Sequence, residues 1–201
     1  MSELLLEDGR LRNVIRTIVK DLVTIYKEED EGEFYLPNYL YDDIDTYNFP
    51  KFEHDVVVQF NMVENYDIDD YKTDGQLWRN DSIIEITVEY NPDKKFDILY
   101  ELLGELNQLV AHELRHIYQE DKNLFDLNTK EKTNPFKYYT QPHEIDAQIF
   151  GFNRLAKLSK RPFETIVRNW FDKNKDTHRL NKNETQKVIN IILTQNNEKS
   201  S

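Results

Sequence analysis

The sequence predicts a single α+β domain, and three observations carry the prediction. Apolar residues recur at three- and four-residue spacing near the start, through the middle and towards the end of the chain, the period of amphipathic helices. Two short segments between them, 56–63 and 83–90, alternate with a period of two and read as strands. No internal repeat or domain boundary divides the 201 residues, a length that suits one domain with a sizeable core. The core is expected over about 10–194, with a polar, frayed tail at 195–201.

Leu11, Val14, Ile15, Ile18, Val19, Leu22, Ile25 and Tyr26 define an N-terminal helix from about Arg10 to Lys27. The acidic run that follows, to Glu33, reads as a solvated helix end and loop. Residues 34–52 are rich in Tyr, Asp and Asn and are broken by Pro37 and Pro50, so an irregular connection is expected there. Val56, Val58, Phe60 and Met62 form one face of the first strand. Ile84, Ile86, Val88 and Tyr90 form one face of the second, with Glu85, Thr87 and Glu89 opposite. The two are expected to pair antiparallel, in a small sheet that is antiparallel or mixed, with Glu64 to Asp81 as a long polar loop between them.

Asn91-Pro92 ends the second strand, and a central helix is expected from about Asp93 to Glu120. Its buried stripe would be Phe96, Leu99, Leu102, Leu103, Leu106, Val110, Leu114 and Ile117. Residues 121–141 lack periodicity, and a loop of that length is often functional. Pro142 suits the first position of a helix running to about Leu158, with Ile145, Ile149, Phe152 and Leu155 on its apolar face. Arg161-Pro162 ends that helix. Phe163, Ile166, Val167, Trp170 and Phe171 mark a short one, and Val188, Ile189, Ile192 and Leu193 mark a last one with Asn183 as its cap.

Composition narrows the function. Acidic residues number 38 against 26 basic, a net charge of −12, which repels nucleic-acid phosphates and anionic membranes. No segment approaches the length of a membrane span, and the short acidic stretch Met1–Asp8 is not a secretory signal. A cytoplasmic protein is expected or, if phage-encoded, one of the host cytoplasm or the virion. There is no cysteine, so a zinc site must be built from histidine and carboxylate.

The central helix carries His112-Glu113-Leu114-Arg115-His116. Residues four apart on a helix differ by about 40° in azimuth, so both imidazoles leave the same face and can hold one zinc ion. Glu113 lies close enough to act on a water activated by that ion. A third ligand must come from His54, His143, His178 or a carboxylate, and Glu144 is the best placed, at the start of the helix after the 121–141 loop. Ala147 and Gly151 on its face would allow close packing on the central helix, and Gln148 could accept a hydrogen bond from a ligand histidine. Asp146 is rotated away. His54 and His178 read as residues of polar loops, Trp78 and Trp170 as packing anchors, and Arg115 as the partner of a carboxylate.

His112-Glu113-x-x-His116 followed by Glu144-Ile145-Asp146-Ala147-Gln148 resembles the gluzincin-type zinc metallopeptidases, above all small single-domain members such as predicted phage and bacterial metallopeptidases. The likeness covers roughly Ser82 to Leu158. It implies a zincin-like domain: N-terminal helix, small sheet, active-site helix, glutamate helix and C-terminal helices. It implies zinc ligands His112, His116 and Glu144, Glu113 as general base, and a protein or peptide substrate. The oxyanion donor is typically Tyr or His in that group, which makes Tyr138, Tyr139 and His143 candidates, and the strand Ile83–Tyr90 would be the rim that pairs with extended substrate. Two rival readings are a binding or structural protein that keeps the scaffold without turnover, and a regulatory protease that cuts a repressor. Oligomeric state is not set by the sequence.

Overall fold

A computed structural model of the chain describes residues 9–36, 56–78, 83–125 and 134–200. Helix α1 (Gly9–Glu28) leads into strand β1 (Gly32–Leu36), and β2 (Val57–Glu64), β3 (Tyr71–Trp78) and β4 (Ile83–Tyr90) follow. A 3-10 turn at Pro92–Lys94 precedes α2 (Leu99–Asp121). The rest is helical: α3 (Pro135–Tyr139), α4 (Pro142–Ser159), α5 (Phe163–Lys173), α6 (Lys175–His178) and α7 (Lys182–Ser200). The fold is α+β, as expected.

The sheet differs from expectation in two respects. It has four strands in the order β1-β2-β4-β3, and β2 pairs with β4 in parallel, from Val57 opposite Ile83 to Glu64 opposite Tyr90. The reason is β3, which occupies most of the segment read as a polar loop. It reverses the chain, pairs antiparallel with β4 from Tyr71 opposite Tyr90 to Trp78 opposite Ile83, and so returns β4 alongside β2 in the same sense. The two strands richest in buried apolar side chains take the centre, and the more polar β1 and β3 take the edges. β1 also starts within the acidic run, at Gly32, where a loop was expected.

One core lies between α1, α2 and the inner face of the sheet, where Ile18, Leu22, Phe60, Ile86, Tyr90, Leu106 and Val110 are fully enclosed. A second gathers Ile145, Ile149 and Phe152 of α4 with Ile166, Val167 and Phe171 of α5 and Val188, Ile189 and Ile192 of α7. Helix α2 is packed by the sheet on one side and α4 on another, which buries it almost all round from Leu106 to Ile117. Its start, at Leu99, is about six residues later than the sequence suggests. Asn91 caps the 3-10 turn instead, accepting from the Asp93 N–H, and Phe96 is 65% exposed and Leu103 39% exposed rather than in the core stripe.

Trp170 stands edge-on to Phe152 and Phe171 as a packing anchor, whereas Trp78 is on the outer face of the sheet with its indole N–H donated to Glu85. Lys160, in the left-handed region at φ 55°, and Pro162 end α4. The cap of α7 is Asn181, whose side-chain oxygen accepts from the N–H groups of Asn183 and Glu184, while Glu184 accepts from the Asn181 N–H. The helix then runs on to Ser200, through the tail expected to fray.

Candidate metal centre

Helices α2 and α4 run antiparallel: Gln119 meets His143, Gln108 meets Gly151, and Gly104 meets Leu155. Gly151 makes this approach possible, because a Cβ there would lie 2.8 Å from the backbone oxygen of Gln108. Close packing places the first turn of α4 against His112 and His116, as the small residues of α4 suggested. His54 and residues 37–55 lie outside the described residues.

Three ligand atoms converge. The Nε2 atoms of His112 and His116 are 3.1 Å apart and stand 3.6 and 3.5 Å from Glu144 Oε2. Ligands held about 2.0–2.2 Å from a tetrahedral centre are themselves about 3.3–3.6 Å apart, so the two His–Glu144 distances match a four-coordinate cation site and the 3.1 Å between the imidazoles is slightly tighter. Glu144 Oε2 is buried and accepts no hydrogen bond, an arrangement that costs several kcal/mol, of order 1–3 or more, unless a cation or donor sits there. His112, His116 and Glu144 could therefore hold a metal ion.

The charges agree with this. Burial alone would raise the Glu144 carboxyl, but His112, His116 and His143 outweigh it and hold the group well below the usual carboxylate range. Burial would lower His116, yet Glu144, Glu113 and Gln119 push it up to about 9. A buried anion is thus held between two imidazoles.

Gln119 orients one ligand. Its amide nitrogen donates to His143 O and to Asp146 Oδ2, each at 2.9 Å, which leaves its oxygen facing His116 Nδ1 at 2.9 Å. His116 must then carry its proton on Nδ1 and present the Nε2 lone pair to the centre. Gln148, expected in this part, is buried with its side-chain oxygen unpartnered. Asp146 does point away from the centre, to Arg115, whose Nε is 2.6 Å from Asp146 Oδ2 within the protein.

Glu113 lies beside the ligands, its Oε1 3.9 Å from His112 Nε2. Burial raises its carboxyl, an effect the two histidines only partly oppose. On the other side stands β3: a Cβ on Gly75 would lie 3.2 Å from Glu113 Oε1 and 3.3 Å from Leu109. The strand beside the centre is therefore β3, an edge strand, and not Ile83–Tyr90, which is paired on both sides.

Of the other candidates, Tyr138 lies against Glu144 and Glu113, and burial with these carboxylates raises its phenol so that it keeps its proton. His143 Nε2 is 3.4 Å from Glu144 Oε1, and its ring stands edge-on to His116. Tyr139 turns instead into the second core, edge-on to Phe171 and His178. His178 is not in a polar loop: it is buried, with Nε2 donating to Phe171 O and Nδ1 accepting from the Leu180 N–H.

Comparison with protein-family models, curated proteins and solved structures finds no match. The site rests on its own geometry. Among the described residues, no helix is long and apolar enough to cross a membrane.

Proposed function

We propose that the chain is a zincin-like, zinc-dependent metallopeptidase of the gluzincin type, hydrolysing peptide bonds in a protein or peptide. The observation that carries the reading is the buried, unpartnered Glu144 oxygen set between two imidazole nitrogens at tetrahedral spacing, with a further carboxylate, Glu113, alongside. Two neutral nitrogens and one carboxylate oxygen, without sulfur, form a donor set suited to catalytic zinc. His112, His116 and Glu144 would hold it. Zinc bound there supplies Lewis acidity, which makes water more acidic and a carbonyl carbon more electrophilic.

The remaining work belongs to the chain. Glu113 accepts the proton of the attacking water as the new C–O bond forms, and returns it to the nitrogen as the C–N bond breaks. Its raised carboxyl suits this exchange, since the protonated form persists long enough to act as the acid. Tyr138, held protonated beside Glu113 and Glu144, donates to the carbonyl oxygen as negative charge builds there, and His143 is the second donor within reach. Among the described residues β3 is an edge strand, and its outer edge can take an extended peptide as an added strand.

The deciding experiment compares wild type with Glu113→Gln on a peptide library read by mass spectrometry. Wild type should bind about one zinc per chain and cleave; the variant should keep the zinc and lose cleavage by at least a hundredfold. Equal cleavage by the two proteins would remove Glu113 as the base. Zinc retention without cleavage by wild type would leave a metal-binding scaffold in place of a peptidase.

A further inference from the structure

The face of α2 that presents His112 and His116 continues two turns back to Glu105, and this end of the groove is occupied. Glu105 accepts from the Thr73 hydroxyl of β3 at 3.1 Å through one oxygen, and from Lys173 Nζ at 2.8 Å through the other. Lys173 is the last residue of α5, so it reaches across from the second core. Its ammonium also lies over the Tyr71 ring, 3.7 Å from the centroid. Glu105 is 14% exposed, whereas Lys173 lies at the surface with its ammonium directed inwards to Glu105 and Tyr71.

The tie has a position relative to the proposed chemistry. β3 and α2 run alongside each other in one sense, with Thr73 at Glu105 and Gly75 at Leu109 and Glu113. On the other side of Glu113 and Glu144, these two carboxylates together with burial raise the Tyr138 phenol. Beside the candidate centre β3 therefore lies along α2, and Lys173 crosses from α5 to Glu105 at the Tyr71 end of the strand. Glu105 precedes His112 by seven residues, about 10 Å of helix, and an extended peptide covers that in about three residues.

Antiparallel pairing is the more stable way to add a strand to β3, and it points the carboxyl end of the added chain towards Tyr71. We propose that the Lys173–Glu105 bridge closes this end of the cleft, so that substrate extends no more than about three residues beyond the cleaved bond on its carboxyl-terminal side. The inference rests on the peptidase reading and narrows its substrates to peptides cut near their C-termini.

Zinc-loaded protein incubated with a mixed peptide library should release C-terminal fragments of one to about three residues. Lys173→Ala should release longer fragments at least tenfold more often. Glu105→Gln, which removes the anion that holds Lys173 across this end, should shift the distribution the same way and serves if the first variant folds poorly. A second readout needs no turnover: dye-labelled peptides, lengthened one residue at a time at the carboxyl end, are bound to the Glu113→Gln protein and followed by anisotropy. Affinity should fall at least tenfold past the limit and recover in the Lys173→Ala, Glu113→Gln double variant. Length-limited binding with no cleavage by wild type would overturn the peptidase reading and leave the closed end standing. Cleavage deep within peptides, binding indifferent to length, or no peptide binding would overturn the closed end.

Discussion

The side-chain oxygen of Gln119 lies 2.9 Å from Nδ1 of His116 because the amide nitrogen of Gln119 is already engaged by His143 O and Asp146 Oδ2. One amide therefore sets the tautomer of His116 on its own helix while tying that helix to the first turn of α4.

Gln119→Leu removes both effects and should weaken zinc about 10- to 100-fold, as loss of an outer hydrogen-bond partner does in other sites. Competition against a chromophoric chelator measures this. Gln148→Leu, which changes a residue not hydrogen-bonded to either histidine, serves as the comparison and should leave zinc affinity within a fewfold. Equal losses in the two variants would mean that packing of the helix pair, not the Gln119–His116 hydrogen bond, governs the metal.

The pH dependence follows from His116 and Glu144. A histidine raised from 6.5 to about 9 in the fold contributes stability that is complete below 6.5 and is lost as pH rises through about 9. Glu144, depressed from 4.5, contributes stability that is present above 4.5 and is lost as pH falls through its folded value. For these two groups the metal-free protein is best supported between about pH 4.5 and 6.5. Zinc competes with the His116 proton, so loading should release a proton at neutral pH and the gap in Tm between loaded and metal-free protein should widen from pH 6 to pH 9. Calorimetry in two buffers of different ionisation enthalpy counts the proton. A gap that narrows over that range would contradict the assignment of His116 as a ligand.

What was legible in the sequence was what is local. The spacing of His112 and His116 is helix geometry, and Pro142 fixed the start of the helix that carries Glu144. Ala147 and Gly151 announced a close helix pair, which Gly151 against Gln108 bears out. Pairing between distant segments was less legible. β3 presents Tyr71, Thr73, Gly75 and Leu77 to α2, and with Thr and Gly at two of those four positions its alternation is too weak to read as a half-buried strand. Missing it also reversed the sense in which β2 and β4 pair. Gln119 and Lys173 had no signal, because a polar residue three positions past a ligand, or at a helix end, is ordinary until the fold supplies its partner.

Two glycines separate packing from chemistry. At Gly75 an added methyl meets the end of a flexible carboxylate, so Gly75→Ala should cost less than about 1 kcal/mol of stability while displacing Glu113 and reducing cleavage at least tenfold. At Gly151 the methyl meets backbone at 2.8 Å, so Gly151→Ala should cost about 1–3 kcal/mol and loosen zinc as the helices part. Chemical denaturation and zinc titration on both variants check the contrast. If Gly75→Ala lost stability and kept full turnover, β3 would not be the wall against Glu113.

The buried pair of Arg115 and Asp146 is the last test, since it links the two helices that carry the candidate site without touching its centre. Removing one partner strands a charge in the interior: Asp146→Ala should cost about 3–5 kcal/mol, because Arg115 is buried between Tyr118 and Phe150 and, among the described residues, Asp146 is the anion it pairs with. Arg115→Met with Asp146→Leu removes both charges and should recover most of that loss, since apolar side chains of similar volume replace buried ion pairs well. Zinc affinity discriminates further. The double variant still lacks the Asp146 oxygen that accepts from Gln119, so it should regain stability yet bind zinc more weakly than wild type. Full recovery of both would show that Gln119 holds His116 without help from Asp146.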